Sequence, residues 1–254
     1  MRLNAIAPFD WLLNLGPVPY WPELRARAPT LCVLQHGLIR SAWSLERLAR
    51  TLRRHGYEVL NPGYWSTTAR IEAHAARLAA KLERRLAAPA GPLPRLAFVG
   101  HSMGGLVIRS YLARPDARPA FACVFLATPQ RGAKLAAVRH RLWPMRVVLG
   151  RNAPLQLIPG DPLYTSLPPV TAERIGVLCG GKGDGVGWNR HLDGDDDGTV
   201  AVDEARLDEA HDTLVLRLGH TRITTAPQTL RQVLHFLAEG RFEHAPHARR
   251  ASSR

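Results

Sequence analysis

The stretch Arg95-Leu96-Ala97-Phe98-Val99-Gly100-His101-Ser102-Met103-Gly104-Gly105-Leu106-Val107 changes its hydrophobic rhythm at the centre. A short apolar run with β-branched and aromatic members stops at Gly100, and a run with helical spacing starts at Met103. Ser102 therefore sits on a sharp strand-to-helix turn, the arrangement of a nucleophile elbow. A serine at the tip of so tight a turn takes strained backbone angles, and side chains two residues to either side would collide with strand and helix. Gly100 and Gly104 remove them. The helix that begins at Met103 aims its free N–H groups and the positive end of its dipole at the space beside the serine, where a developing oxyanion would be held. The alternative is a glycine-rich turn with an incidental serine. Each partner residue found elsewhere in the chain weakens it.

Outward from this turn the alternation repeats. Upstream, residues 30–37 form an uninterrupted apolar strand and 42–55 an amphipathic helix with Trp43, Leu45, Leu48, Ala49 and Leu52 at its apolar positions; 57–60 is a second strand and 71–88 a longer helix. Downstream, 120–127, 173–181 and 213–218 read as strands and 227–239 as the last helix. This order predicts an α/β fold, a doubly wound, mostly parallel sheet with helices on both faces and few strands before the first confident one. The rhythm breaks between about 130 and 171, a proline-containing section that predicts a small cap at the carboxyl end of a strand. Its Leu142, Trp143, Leu155, Leu157 and Ile158 suit either an acyl pocket or simple core packing. The domain is expected over 29–242. An N-terminal arm, 1–28, precedes it, with Phe9-Asp10-Trp11-Leu12-Leu13 as a short amphipathic helix and Pro17, Pro19 and Pro22 in extended chain; a disordered tail, 243–254, follows.

A serine hydroxyl is a poor nucleophile at neutral pH, so Ser102 needs a histidine base that is itself oriented by a carboxylate. His220 follows the last strand directly and precedes a helix, and Asp197 lies beyond the preceding strand. His191, His211 and His235 fit worse: one falls in a glycine-rich loop, one before the strand, one inside a helix. His36-Gly37-Leu38 ends the first strand, where Gly37 lets the backbone pass closely beneath a substrate and the Leu38 N–H joins that of Met103 as a second oxyanion donor. His36 suits a hydrogen bond within the turn better than the role of a base. Trp43, Tyr64 and Trp65 stand near the expected mouth as substrate-binding candidates.

Asp197 also belongs to Asp193-x-Asp195-x-Asp197-Gly198, with Glu204 at the twelfth position, which matches the calcium loop of an EF-hand. An EF-hand needs a helix leading into that loop. Gly180-Gly181-Lys182-Gly183-Asp184-Gly185-Val186-Gly187 cannot supply one, so no metal is expected here, and no cofactor motif occurs elsewhere.

Composition narrows the class. At 254 residues, with 46% hydrophobic content and interspersed charge, the chain suits one well-buried domain. No apolar run approaches the roughly 18 residues of a membrane span, and the first residues lack a signal peptide's apolar core, so a cytoplasmic site is expected. Cys32, Cys123 and Cys179 lie singly in strand-like runs without metal-ligand spacing, as core residues of a reducing compartment. The net charge of +13 is spread over the whole chain, nearly all as arginine, without aromatic interleaving or a recognition motif. Nucleic acid is therefore not an expected partner; a basic rim that draws anionic substrates, or an anionic membrane surface met through the arm, is compatible with the rest.

Together, Gly100-His101-Ser102-Met103-Gly104-Gly105, His36-Gly37-Leu38, Thr128-Pro129-Gln130-Arg131-Gly132, Asp197-Gly198-Thr199-Val200 and His220-Thr221 resemble the α/β-hydrolase superfamily. Within it they are most similar to compact bacterial lipases and esterases and to the GPI inositol-deacylase-like group. Position by position, the resemblance implies Ser102 as nucleophile, Asp197 as acid, His220 as base, and Leu38 and Met103 as oxyanion donors. The activity it implies is hydrolysis of small-molecule or lipid carboxylic esters through an acyl-enzyme. Thioester hydrolysis and acyl transfer use the same residues, and a non-catalytic binding module of the same fold is the reading from another class.

Overall fold

The protein is described here by a computed structural model that covers Asp10, Leu12 and residues 14–87, 92–140 and 152–244. Its strands are β1 (Thr30–Gln35), β2 (Glu58–Leu60), β3 (Arg95–His101), β4 (Ala120–Leu126), β5 (Ala172–Gly180) and β6 (Asp212–Leu216). They form one sheet in the order β2-β1-β3-β4-β5-β6, and every pair is parallel. Parallel strands need crossovers. These run through α1 (Glu46–Arg54), α2 (Ile71–Leu86) and α3 (Met103–Leu112), and α8 (Pro227–Glu239) closes the chain.

The helices cover both faces. Leu31, Val33, Phe98 and Phe125 point to the side of α2 and α3, whereas Cys32, Leu34, Val99 and Val124 point to the side of α1 and α8. This double burial explains why the strands read as continuous apolar runs: every residue of β1 and of β4 is buried. Cys32, Cys123 and Cys179 are all buried and unpaired. Chain order reverses between β1 and β3, so the connections leaving their carboxyl ends diverge and open a crevice there. Gly37 and Ser102 face each other across it.

The section between β4 and β5 contains α4 (Lys134–His140), α5 (Ala153–Gln156) and α6 (Pro162–Ser166). Its anchor is Gln156, fully buried, whose Oε1 accepts from Ile71 N–H at 2.7 Å while Nε2 donates to the Glu72 carboxylate at 2.9 Å. The side chain thus satisfies one open N–H group at the start of α2 and docks the section against it. Leu157 is buried in the core, and Leu155 and Ile158 are half-buried; Leu142 and Trp143 lie outside the described residues.

The arm packs on the domain. Asp10, Leu12 and Asn14 have 3₁₀ geometry, while Phe9, Trp11 and Leu13 lie outside the described residues. At the other end the boundary expected after Phe242 falls too early. Glu243 takes both ends of the Arg231 guanidinium at 2.7 Å, and His244 Nε2 meets the Asp212 carboxylate at 2.8 Å, so these two residues are fastened to α8 and β6. Both partners are distant in sequence from a stretch that looked merely polar. The remainder of the expected tail, 245–254, lies outside the described residues. Among the described residues no helix is long and apolar enough to cross a membrane.

Two histidines near the crevice are built into the fold. Burial lowers His36 and His74 from the ordinary 6.5 to about 4. Between those values the unfolded chain takes up protons that the folded chain refuses, so stability is full above pH 6.5 and falls as pH drops toward 4. Urea midpoints measured at pH 7, 5.5 and 4.5 are expected to fall more steeply for the natural protein than for His74→Gln; parallel curves would show that His74 does not contribute.

Candidate active site

Ser102 has φ 53° and ψ −130°, a conformation that L-residues adopt only when the surroundings enforce it. The enforcement is close packing. A Cβ on Gly104 would lie 2.1 Å from the Gln35 carbonyl oxygen, and one on Gly100 2.5 Å from Gly105 Cα. The strand end and the helix start therefore approach as closely as backbones can, and Ser102 is pushed to the tip. Its N–H is held by the Leu126 carbonyl at 2.9 Å.

His220 lies just past β6, and its Nδ1–H donates to Asp197 Oδ2 at 2.6 Å. The carboxylate only accepts, so the proton is fixed on Nδ1 and Nε2 is left as the basic nitrogen. The other carboxylate oxygen accepts from Thr199 and Val200 N–H at 2.9 and 2.7 Å, which locks its rotamer. The His220 N–H also returns to the Asp197 carbonyl at 2.9 Å, joining the two residues a second time through the backbone. Asp197 is 4% exposed, so the pair is shielded from competing water. A further link fixes the histidine: His101 Nε2–H donates to the His220 carbonyl at 3.0 Å, and the two rings lie 4.8 Å apart. His220 is thus tied to the residue next to Ser102. Ser102 Oγ and His220 Nε2 are not hydrogen-bonded to each other here, a looseness common in substrate-free sites.

The neighbouring carboxylates have other work. Asp195 accepts from Lys182, Gly183 and Asp196 N–H, and Asp196 accepts from Asn189 and Gly198 N–H. Glu204, in the short helix α7 (Val202–Ala205), accepts from Ala201 and Lys134 N–H, and Asp193 pairs with the Lys134 ammonium. The run that mimics a calcium loop in spacing is a set of carboxylates pinning a glycine-rich loop. Only Asp197 among them faces His220.

The turn after β1 forms the opposite wall. Gly37 lies against Ser102, where an added Cβ would stand 3.0 Å from the serine Cβ. Neither the Leu38 nor the Met103 N–H finds an acceptor among the described residues. Ile39 has φ 57°, a strained value for a β-branched residue, and its N–H donates to Ser66 Oγ at 2.8 Å. His36 lies behind the turn, its Nδ1–H on the Gly37 carbonyl at 3.0 Å. Tyr64, expected at the mouth, is committed elsewhere. Its hydroxyl donates to the His36 carbonyl at 2.7 Å and its ring stacks on His36 at 4.3 Å, so it supports the turn from behind. Trp43 and Trp65 are 59% and 42% exposed, on the connections that follow β1 and β2.

Sequence reasoning missed Ser66, the Tyr64–His36 support, the His101–His220 link and a set of contacts from the arm to residues 40–47. The partners of each pair are far apart in sequence and neither member carries a motif. Of the rival histidines, His191 is exposed, His211 Nδ1 accepts from Ile175 N–H, and His235 holds the Arg241 carbonyl.

Residues 26–139, which include β1, the turn after it and the elbow, match the family described as "Putative serine esterase (DUF676)". No curated protein sequence matches the chain. Among solved structures, the chain is similar to the mature form of lipase BlEst2 from Bacillus licheniformis, with a TM-score of 0.62 and 21% identity over 88% of this chain and 96% of that one. It is also similar to phospholipase PlaB from Legionella pneumophila, solved with thio-NAD, at TM-score 0.64 and 16% identity; the match covers 82% of this chain but 58% of the phospholipase. The type II thioesterase BorB from the borrelidin biosynthetic cluster matches at TM-score 0.55 and 18% identity, over 88% and 96% of the two chains. At such identities the likeness is one of fold.

Proposed function

We propose that this chain, which has the α/β-hydrolase fold, is a serine hydrolase that cleaves carboxylic esters with an apolar acyl group through an acyl-enzyme on Ser102. The observation that carries the reading is the Asp197–His220 hydrogen bond at 2.6 Å; the strained Ser102, and the Leu38 and Met103 N–H groups that have no acceptor among the described residues, support it. The serine esterase match over 26–139 supports the coarser statement of a hydrolase.

His220 Nε2 takes the Ser102 hydroxyl proton as Oγ attacks the ester carbonyl. The carbonyl π pair moves onto oxygen, and the Leu38 and Met103 N–H groups, with the dipole of α3 behind Met103, hold the resulting oxyanion. Asp197 stabilises the imidazolium that forms. The tetrahedral intermediate collapses, the leaving alcohol receives the proton from His220, and the acyl-enzyme is hydrolysed when His220 deprotonates a water molecule. Trp43 and Trp65 offer apolar surface where an acyl or alcohol group would approach.

Incubation of the purified protein with a fluorescent fluorophosphonate, followed by mapping of the label, tests the chemistry. A p-nitrophenyl ester series from acetate to palmitate tests the acyl preference. Label on Ser102 with turnover peaking at a medium acyl chain is expected. Folded protein that takes no label and turns over none of the esters would sink the reading.

A further inference from the structure

Asp10 is a charged residue at 3% exposure on an arm that lies outside the sheet. A carboxylate is buried only where it is paired and hydrogen-bonded, and among the described residues the partners of the Asp10 carboxylate lie in the segment that leaves the oxyanion turn. Oδ2 accepts from Ser41 N–H at 3.0 Å and from Ser41 Oγ–H at 2.9 Å. Oδ1 lies 2.8 Å from Arg40 Nη2. One turn further on, Asn14 repeats the grip: Nδ2 donates to the Trp43 carbonyl at 2.6 Å and to the Asp10 carbonyl at 2.7 Å, and Oδ1 accepts from Arg47 N–H at 2.7 Å. Arg50 closes the set on the Asn14 carbonyl at 2.7 Å.

Between Leu38, an oxyanion donor, and Ser41, which Asp10 holds by two hydrogen bonds, stand only Ile39 and Arg40. Ile39 is strained at φ 57°, and strain of this kind relaxes unless contacts on both sides forbid it. Ser66 holds Ile39 from one side, and among the described residues the charged group holding the other side is Asp10. The pairing also aims Arg40. Its Nε and Nη2 are both sealed from solvent without a hydrogen bond, so Asp10 holds it as an ion pair, and its positive charge reaches both His36 and His101, which flank the turn and the elbow. Without Asp10 a half-buried guanidinium would be uncompensated beside the site, and the Ser41 N–H would lose the acceptor that fixes the backbone leaving the turn.

We propose that Asp10 is a positioning residue for catalysis: through Arg40 and Ser41 it holds the strained turn in which the Leu38 N–H faces the reacting carbonyl, so that the N-terminal arm completes the active site. The proposal rests on the assignment of Leu38 as an oxyanion donor. An arm that merely packed would affect folding; this arm affects the transition state.

The test uses the full chain carrying Asp10→Ala, Asp10→Asn or Ser41→Ala, and reads kcat and KM on a p-nitrophenyl ester beside the affinity for an alkyl boronic acid, whose tetrahedral adduct places an oxygen in the oxyanion position. Loss of one aligned oxyanion donor costs ~100-fold in kcat, so Asp10→Ala is expected to lower kcat by tens-fold to a hundredfold with KM within about twofold, and to weaken the boronate by a similar factor. Asp10→Asn keeps an acceptor for Ser41 but loses the charge that holds Arg40, and an intermediate loss is expected. Ser41→Ala removes one of the three contacts and folds most readily, with a severalfold loss of kcat. A lowered melting temperature with kcat and boronate affinity unchanged in all three variants would overturn the proposal. If the natural protein itself neither turns over esters nor takes fluorophosphonate, the functional assignment fails instead, and the two failures are told apart.

Discussion

Asp197→Asn is expected to lower kcat/KM by ~10⁴-fold, because an asparagine amide at that position donates to Nδ1 and so forces the histidine into the tautomer that carries its proton on Nε2. That nitrogen then faces Ser102 as a donor and cannot accept its proton. The size of the effect separates Asp197 from two carboxylates beside it that share its chemistry and its loop. Asp195 binds three backbone N–H groups and Asp196 two, and neither contacts His220. Asp196 is fully buried, so Asp196→Asn is expected to lower the melting temperature while kcat per folded molecule stays within about tenfold of the natural protein. Asp195→Asn, in a partly open loop, is expected to do less. Kinetics of the three variants on one p-nitrophenyl ester, with melting curves beside them, decide the matter. Similar losses of kcat in all three would remove Asp197 from the site and return the loop to a shared structural role.

The contrast between Asp197 and Asp10 shows what a sequence carries on its face. The strands were legible because burial on both sides of a parallel sheet writes itself as unbroken apolar runs, and β1 and β4 are such runs. The elbow was legible because its geometry demands glycine two residues before and after the serine. His220 and Asp197 followed from their places after consecutive strands, since the carboxyl ends of parallel strands share one edge of the sheet. Asp10 had no such marker. Its partners lie about thirty positions away in a turn, and a lone aspartate among apolar residues reads as the polar face of a short helix. Tyr64 carries no marker of its second contact for a related reason: position after β2 places it near the site, but only the distance from its hydroxyl to the His36 carbonyl shows that it braces the turn. Glu243 and His244 repeat the lesson at the other terminus, where a polar end looked free until Arg231 and Asp212 were seen to hold it. Motifs specify what a backbone must do locally; long-range polar contacts that hold a loop in place leave no periodic trace.

Ser102→Ala, His220→Ala and the double variant are expected to lose nearly the same activity, each ~10⁵–10⁶-fold in kcat, because the serine is useless without its base and the base without its serine. Independent contributions would instead multiply, and the double variant would fall by the product of the single losses. What survives should still exceed the uncatalysed rate by ~10³-fold, since the Leu38 and Met103 N–H groups can stabilise an oxyanion formed by direct attack of water. That residue of activity is itself diagnostic. Adding Asp10→Ala to Ser102→Ala should erode it further, as the turn that presents Leu38 loosens, whereas Asp197→Asn added to Ser102→Ala should change it little, as there is no serine proton left to accept. Steady-state rates on an activated ester, measured at high enzyme concentration against a buffer blank, give all five numbers. A double variant much slower than either single variant would mean that Ser102 and His220 act on different steps, and a residual rate untouched by Asp10→Ala would place the oxyanion elsewhere than at Leu38.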